Sequence, residues 1–382
     1  MVLFVYFWQA YKNQKMIYIV GTIVTFFLAF LLIGKKNKNI SDKILVVWFL
    51  IIGLHLSLFY LNYSRIVFSY PDFLGIAIIF PLIHGPLLYL YTGTITNQIT
   101  FSKIQLLHFI PIVLVVLLFE DFFVLDGDAK LAVYRNSGLG FQERFQFNYI
   151  VIKISGVVYI LWSQFLLYKH KKNIVTKFSN IERINLYWLQ YLILGVGFVW
   201  TFVLFNGAVK YLYIVVAIFV IFMGYFGVNQ VGIFNSENVY DKGIGQDFYE
   251  NKTLLPEENI KYRKSGLDQE KAQEIYDLLS KKMEEEELYL NPDLNLVELA
   301  QIFDVHPNHL SQVINSFEDK NFYEYVNQKR IERFLSLIKN AENKKFTLLS
   351  IAYDCGFNSK SAFNRQFKKV MHQTPTEYIN SL

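Results

Sequence analysis

Ile351-Ala352-Tyr353-Asp354-Cys355-Gly356-Phe357-Asn358-Ser359-Lys360-Ser361-Ala362-Phe363-Asn364-Arg365-Gln366-Phe367-Lys368-Lys369 is the stretch that decides how the C-terminal part of this 382-residue sequence folds. Leu348–Cys355 predicts a short helix and Gly356-Phe357-Asn358 a turn, with Ser359 as N-cap of a second helix, Lys360–Met371. Phe363 and Phe367 lie one turn apart and point inward. Lys360, Ser361, Asn364 and Arg365 occupy the opposite face, with Lys368 and Lys369 further along. Thr374-Pro375 opens a short closing helix that ends near Ser381. Cys355 is the sole cysteine, which excludes an internal disulfide, a thiolate zinc cluster and a CxxC redox pair. It fits a small buried site beside the turn, a redox role being the weaker alternative.

The same pattern stands upstream. Leu294, Leu296, Leu299, Ala300 and Phe303 form one apolar stripe, ended by the turn Asp304-Val305-His306. Pro307 suits the first position of a new helix to Ser316, with Leu310, Val313 and Ile314 inward. Asn308, Ser311, Gln312 and Asn315 recur at i, i+3, i+4 and i+7 on its other face. A helix, a tight turn and a second helix with a polar face make the geometry that enters a DNA major groove. Phe322–Ile338 reads as a helix connecting the two copies. Before them, Asp268 caps an amphipathic helix to about Glu287, its apolar side Ala272, Ile275, Leu279 and Met283.

The run Ile351–Lys369, followed by Thr374-Pro375-Thr376-Glu377-Tyr378, resembles the signature of the AraC/XylS family of bacterial transcription regulators, over about residues 288–382. The resemblance implies two helix-turn-helix units, held by one long helix, in successive major-groove segments. By position, Asn308, Ser311 and Gln312 would read bases in the first unit and Lys360, Ser361, Asn364 and Arg365 in the second. Arg can bridge guanine O6 and N7, and Asn or Gln can bridge adenine, each good pair giving about 1–3 kcal/mol of discrimination. Lys368 and Lys369 would contact phosphate. For any one of these residues alone, a solvated helix face is the plainer reading; two matching faces with a family signature outweigh it. Two positions depart from the family. His372 stands where Gly usually supplies φ > 0, so the last turn is strained or shifted, and His306 replaces a Ser or Thr N-cap at a cost of about 1 kcal/mol. Leu288–Leu382 holds eleven bases and ten acids, although Cys355–Thr376 is free of acids. This balance predicts weak non-specific binding and a homodimer on double-stranded DNA.

The first half reads differently. Residues 1–230 hold eighteen Lys+Arg and eight Asp+Glu, a balance of +10, whereas residues 231–382 hold nineteen and twenty-four, a balance of −5. The chain is 53% hydrophobic and 18% aromatic, more than one soluble core needs. Seven segments carry about the 18–25 apolar residues that cross a bilayer as helix: Met16–Ile33, Ile44–Leu61, Phe73–Tyr91, Ile104–Phe119, Phe147–Tyr168, Leu186–Phe205 and Tyr211–Val228. Met1–Trp8 is too short to cross alone. Lys35, Lys36, Lys38 and Lys43 after the first span, and Lys169, Lys171, Lys172, Lys177 and Arg183 after the fifth, place those loops in the cytoplasm. The acidic loop Glu120–Gln146 then lies outside, as does the N-terminus. His55, His84, His108, Gln164 and Asn206 are polar groups inside spans. Three histidines could hold a metal or haem; the reading we favour is that each bonds a carbonyl or hydroxyl on a neighbouring helix, His84 in a helix broken at Gly85-Pro86. Lys153 reads as a snorkelling stem, and Trp48, Trp162 and Trp188 as interfacial anchors before a ligand cage. Gly85–Tyr91 and His108–Pro111 resemble the N-terminal part of membrane-anchored regulators of Bacteroidetes-type bacteria.

The expected architecture is all-α. It comprises a seven-span membrane domain (1–230) with its N-terminus outside, a cytoplasmic linker (231–265), an amphipathic helix (266–287) and an AraC-type DNA-binding domain (288–382). The expected function is a membrane-embedded one-component transcription regulator in the inner membrane, with the C-terminal domain cytoplasmic. Its partners would be DNA, the bilayer, a second copy and a small-molecule, lipid or peptide signal. No Ser/His/Asp, HExxH or phosphate-cradling glycine motif is present, and neither an enzyme nor a cofactor is expected. The alternative is a transporter or membrane receptor whose C-terminal domain binds protein. A transporter should carry paired mid-bilayer charges or an inverted repeat, and the sequence has neither.

Overall fold

The computed structural model describes residues 2–182, 184–205, 209–229, 267–340 and 345–381. Arg183, Asn206, the linker 231–265 and the first residue of the expected amphipathic helix lie outside the described residues. All named elements are helical, and the chain divides into two compact units. The first holds residues 1–168 and 187–249; the second holds 169–186 and 250–382.

In the first unit the helices are α1 (Val2–Gly34), α2 (Ile40–Tyr63), α3 (Phe80–Ile95), α4 (Ile110–Leu118), α5 (Glu120–Phe123), α6 (Gly127–Arg135), α7 (Gln142–Lys177), α8 (Tyr187–Leu204) and α9 (Val209–Asn229). Five candidates are long and apolar enough to cross a membrane by length and composition: Met16–Gly34, Ile40–Tyr63, Pro71–Ile95, Gln142–Lys177 and Tyr187–Leu204. Lys103–Leu118 and Tyr211–Met223 are shorter apolar helices. The expected fourth span starts as a 3-10 helix, Lys103–Phe109, and turns α-helical only at Ile110-Pro111. The expected third span is likewise irregular before Phe80, where Pro71 and Gly75 (φ +88°) interrupt the helical hydrogen bonds.

Packing follows the small residues. α1 lies against α2 and α9, and a Cβ at Gly21 would sit 2.7 Å from that of Ala217 on α9. Asn39 caps α2 through a reciprocal box with Asp42. Asp42 also accepts from Lys35 Nζ at 3.0 Å in a buried ion pair, so Lys35 is not a solvated loop charge. The acidic loop Glu120–Gln146 is ordered into α5 and α6, which bury Phe122 beside Phe119, Leu82 and Trp200. α3 continues through Pro86, correcting the expected break at Gly85-Pro86.

The second unit contains the end of α7 and the segment to Leu186, then α10 (Gln269–Glu285), α11 (Leu296–Ile302), α12 (Pro307–Glu318), α13 (Phe322–Ile338), α14 (Leu348–Asp354), α15 (Lys360–Met371) and α16 (Pro375–Asn380). α11–α12 and α14–α15 are the two expected helix-turn-helix pairs. Both turns close alike: Val305 N–H reaches Ala300 O at 3.0 Å and Phe357 N–H reaches Ala352 O at 3.2 Å. Each has one left-handed residue, Asp304 (φ 53°) and Gly356 (φ +89°). At Gly356 a side chain is also excluded, because a Cβ would lie 2.7 Å from Tyr289 O.

One helix serves two cores. Phe322, Tyr325 and Val326 at the start of α13 pack with Leu279, Met283, Leu299, Leu310 and Ile314. Ile331 and Phe334 near its end pack with Ile351, Cys355, Phe363 and Phe367. Each such side chain contributes about 1.5–3 kcal/mol on burial, so α13 is anchored in both helix-turn-helix cores of the second unit. Its N-terminus is fixed by the capping box of Asn321 and Glu324.

Candidate nucleic-acid interface

α12 is positioned by its buried side. Leu310, Val313 and Ile314 are inaccessible, which turns Asn308 to solvent and leaves Ser311 and Gln312 half-buried. His306 caps this helix after all: its Nδ1 accepts from Asn308 N–H at 3.2 Å, recovering part of what a Ser or Thr would supply.

α15 is set the same way. Ala362, Phe363, Gln366 and Phe367 are buried, and Lys360, Ser361, Asn364, Arg365, Lys368 and Lys369 are exposed on the other face. Ser359 Oγ caps it by accepting from Ala362 N–H at 3.1 Å. The helix ends at His372, which adopts the left-handed conformation at φ 58° that the missing glycine would have taken. The last turn is therefore kept at the expense of strain. Thr374 and Glu377 then cap α16 reciprocally.

Two of the exposed cations are engaged. Lys369 Nζ pairs with Glu324, the capping residue of α13. Burial alone would raise the Glu324 carboxyl, but the Lys369 ammonium and the Asn321 N–H outweigh it and hold the carboxyl below its usual range. Arg365 is bound on two sides. It donates to Tyr323 Oη at 2.8 Å, which also accepts from Gln366 Nε2 at 2.9 Å, and it forms an ion pair with Glu182.

Glu182 belongs to the segment between α7 and α8, which the sequence reading treats only as a basic loop. Here it is part of the second unit. Phe178 forms an isolated antiparallel bridge with Asn295. Ser179 Oγ donates to Leu294 O at 2.6 Å, and Ser179 O accepts from Asn327 Nδ2 at 2.9 Å. Arg330, 1% exposed, completes the arrangement. Its Nε donates to Tyr289 O (2.7 Å), one terminal nitrogen to Asn291 O (2.8 Å) and Ser179 Oγ (3.1 Å), and the other to Ser179 O (3.2 Å) and Asn327 Oδ1 (3.2 Å). All five guanidinium donors are used on neutral acceptors. Burial without a bonded carboxylate lowers its pKa to about 10. Val326, Arg330 and Phe334 recur every four residues on the buried stripe of α13, and a charge at such a position was the signal available in the sequence.

In the first unit the polar residues find partners on neighbouring helices. Trp48 Nε1 donates to His84 Nδ1 at 3.2 Å, His84 Nε2 meets His55 Nδ1 at 3.0 Å, and His55 Nε2 meets Tyr213 Oη at 2.8 Å. His108 Nδ1 meets Tyr159 Oη at 2.9 Å, and Gln164 Oε1 accepts from Gln190 at 3.1 Å. Trp48 is 3% exposed, an interior side chain and not an interfacial anchor. Trp188 lines the same cavity as Trp48. Trp162 is 41% exposed with its ring 4.3 Å from that of Tyr89, and Lys153 Nζ lies 4.5 Å over the Tyr149 ring. Among the described residues no three His, Cys, Asp or Glu side chains are grouped to hold a metal ion.

Residues 299–381 match the family described as helix-turn-helix domain. An uncharacterized HTH-type transcriptional regulator of Staphylococcus aureus (strain COL) is 32% identical over 115 residues, 30% of this chain and 14% of that protein. The uncharacterized HTH-type transcriptional regulator YijO of Escherichia coli (strain K12) is 34% identical over 80 residues, 21% of this chain and 27% of its own length. The likeness thus spans at most 27% of the length of these two relatives. No solved structure matches the chain. The C-terminal region carries an AraC-type helix-turn-helix domain.

Proposed function

We propose that this protein is a membrane-embedded, sequence-specific DNA-binding transcription regulator. The observation that carries the proposal is the pair of helix-turn-helix units on one rigid helix, each second helix turning a polar face outward. Asn308, Ser311 and Gln312 read bases in the first half-site, and Lys360, Ser361, Asn364 and Arg365 in the second, while Lys368 and Lys369 hold phosphate. The near-balanced charge of the domain favours binding as a homodimer, which confinement to a bilayer promotes by raising the effective concentration of a second copy. Seven spans place the domain in the cytoplasm, against the inner membrane. Five apolar helices long enough to cross a membrane support a multi-span domain, in which we take two shorter apolar helices as the remaining spans.

The segment from Lys169 to Leu186 supports a coupling between the halves. It takes in the end of one apolar helix and precedes another, and it carries Ser179 and Glu182 into the DNA-binding domain. Arg365 meets Glu182 through Nη2, so turning its fork onto a guanine competes with that pair. A signal that favours the helix arrangement withdrawing Glu182 therefore favours DNA binding, by as much as its difference in affinity for the two arrangements. The test is genome-wide mapping of sites bound by the intact protein, followed by binding of recovered fragments to full-length protein in nanodiscs. Selective binding that weakens about fivefold or more with Arg365→Ala supports the function; no selective binding, or none lost in that variant, ends it.

A further inference from the structure

A cavity of about 150 Å³ lies among α2, α3, α8 and α9, with a wall that is overwhelmingly apolar. Three of the chain's five tryptophans line it, Trp48, Trp188 and Trp200. A space of about this size lined by apolar side chains admits one benzene-sized ring. His55, His84 and Tyr213 supply the polar part of the wall.

The direction of their hydrogen bonds follows from one fact. An indole N–H can only donate. Trp48 Nε1 therefore makes His84 Nδ1 an acceptor, so this imidazole is neutral and carries its proton on Nε2. His84 Nε2–H then donates to His55 Nδ1, which leaves the proton of His55 on Nε2, donating to Tyr213 Oη. The tyrosine oxygen accepts, and its own O–H is the last donor of the chain. The ring that bears it lines the cavity. In apolar surroundings such a hydroxyl gains from an acceptor that a ligand brings, by about the 0.5–1.5 kcal/mol of an ordinary hydrogen bond.

We propose that this cavity is a binding site for a small, neutral, flat aromatic molecule carrying a carbonyl. Its ring stacks among the indoles and its oxygen accepts from Tyr213 O–H. The cavity holds no charged wall for a carboxylate or an amine. As the signal of the regulator, such a compound rests on the function proposed above; as a ligand, it rests on the helices of the first unit alone.

Acetophenone and ethylbenzene test the proposal, because they share size and shape and differ in the carbonyl. Their binding to full-length protein in nanodiscs is measured for the wild type and for Tyr213→Phe, which keeps the ring. The ratio of the two affinities cancels partition into lipid. This ratio should favour the ketone by about fivefold to tenfold more in the wild type than in the variant, as one hydrogen bond predicts. Ethylbenzene should bind both proteins equally, which also shows that the variant is folded. Infrared spectra of carbonyl-labelled acetophenone should display a down-shifted stretch with the wild type that is absent with Tyr213→Phe. Absence of saturable binding of either compound, or an affinity ratio unchanged by the substitution, overturns the site. Neither result touches DNA binding, which the Arg365→Ala assay decides separately.

Discussion

Replacing Glu182 by Gln should strengthen DNA binding. The Arg365 side chain is 40% exposed and that of Glu182 17%, so the pair is neither free in water nor sealed from it. Exposed pairs contribute about 0.2–1 kcal/mol, and the more buried carboxylate places this one toward the upper part of that range, about 0.5–1 kcal/mol. This is the free energy Arg365 must give up to reach a base, and Gln retains the volume and a neutral acceptor while removing the charge. The affinity of the full-length protein should rise about twofold to fivefold, since 1.4 kcal/mol corresponds to tenfold. Tyr323 Oη keeps its contact at 2.8 Å and holds the guanidinium in place. Fluorescence anisotropy in nanodiscs, with a recovered DNA fragment at fixed salt, reads the change. The gain should shrink as salt rises, because the pair is partly screened. If Glu182→Gln leaves affinity unchanged while Arg365→Ala lowers it, the ion pair does not compete with DNA and the coupling fails.

Other expectations concern the frame of the domain. Arg330→Met should destabilise it by about 3–5 kcal/mol, because Tyr289 O, Asn291 O and Ser179 O lose buried donors together; thermal unfolding of the full chain measures this. His372→Gly should stabilise by about 0.5–1 kcal/mol by relieving the left-handed residue at φ 58°, seen as a higher melting temperature. Burial pushes the Cys355 thiol up to about 12 from 9.0, so alkylation by iodoacetamide at neutral pH should require denaturant. The raised value also sets a sign. This group's contribution is fully present below the unfolded pKa near 9 and should be lost as pH rises toward about 12. Lys368→Ala should weaken binding to all DNA alike and reduce the salt slope by about 1.

The helix-turn-helix pairs were legible because their signals are local. A cap, a turn residue with φ > 0 and an apolar step of three or four lie within twenty residues, as Ser359, Gly356 and Phe363–Phe367 do. The span count was less legible, since hydropathy counts apolar residues and not their hydrogen bonds. Lys103–Phe109 is apolar enough yet forms a 3-10 helix ahead of Ile110-Pro111. Lys35 was read only as one of the bases that orient its loop, whereas Asp42, seven residues on and already fixed as a cap, draws it inside. Trp48 was read from its residue type, whereas its partner lies 36 positions away. The contacts around Ser179 were the furthest from reach: Arg330 is 151 residues distant and no repeat or charge pattern connects them. Only the arginine itself, on the core stripe of its helix, pointed to something unseen.

The seating of Ser179 bears on how this protein could be dissected or rearranged. A fragment started near Leu267 would arrive with Arg330 and Asn327 facing a missing guest, and with Leu294 O short of a donor. Grafting the C-terminal reader onto a foreign anchor would inherit the same defect unless the short Phe178–Glu182 piece travelled with it. A single protease nick upstream of Leu267 would not liberate a finished module, because part of its lining is encoded a hundred residues earlier.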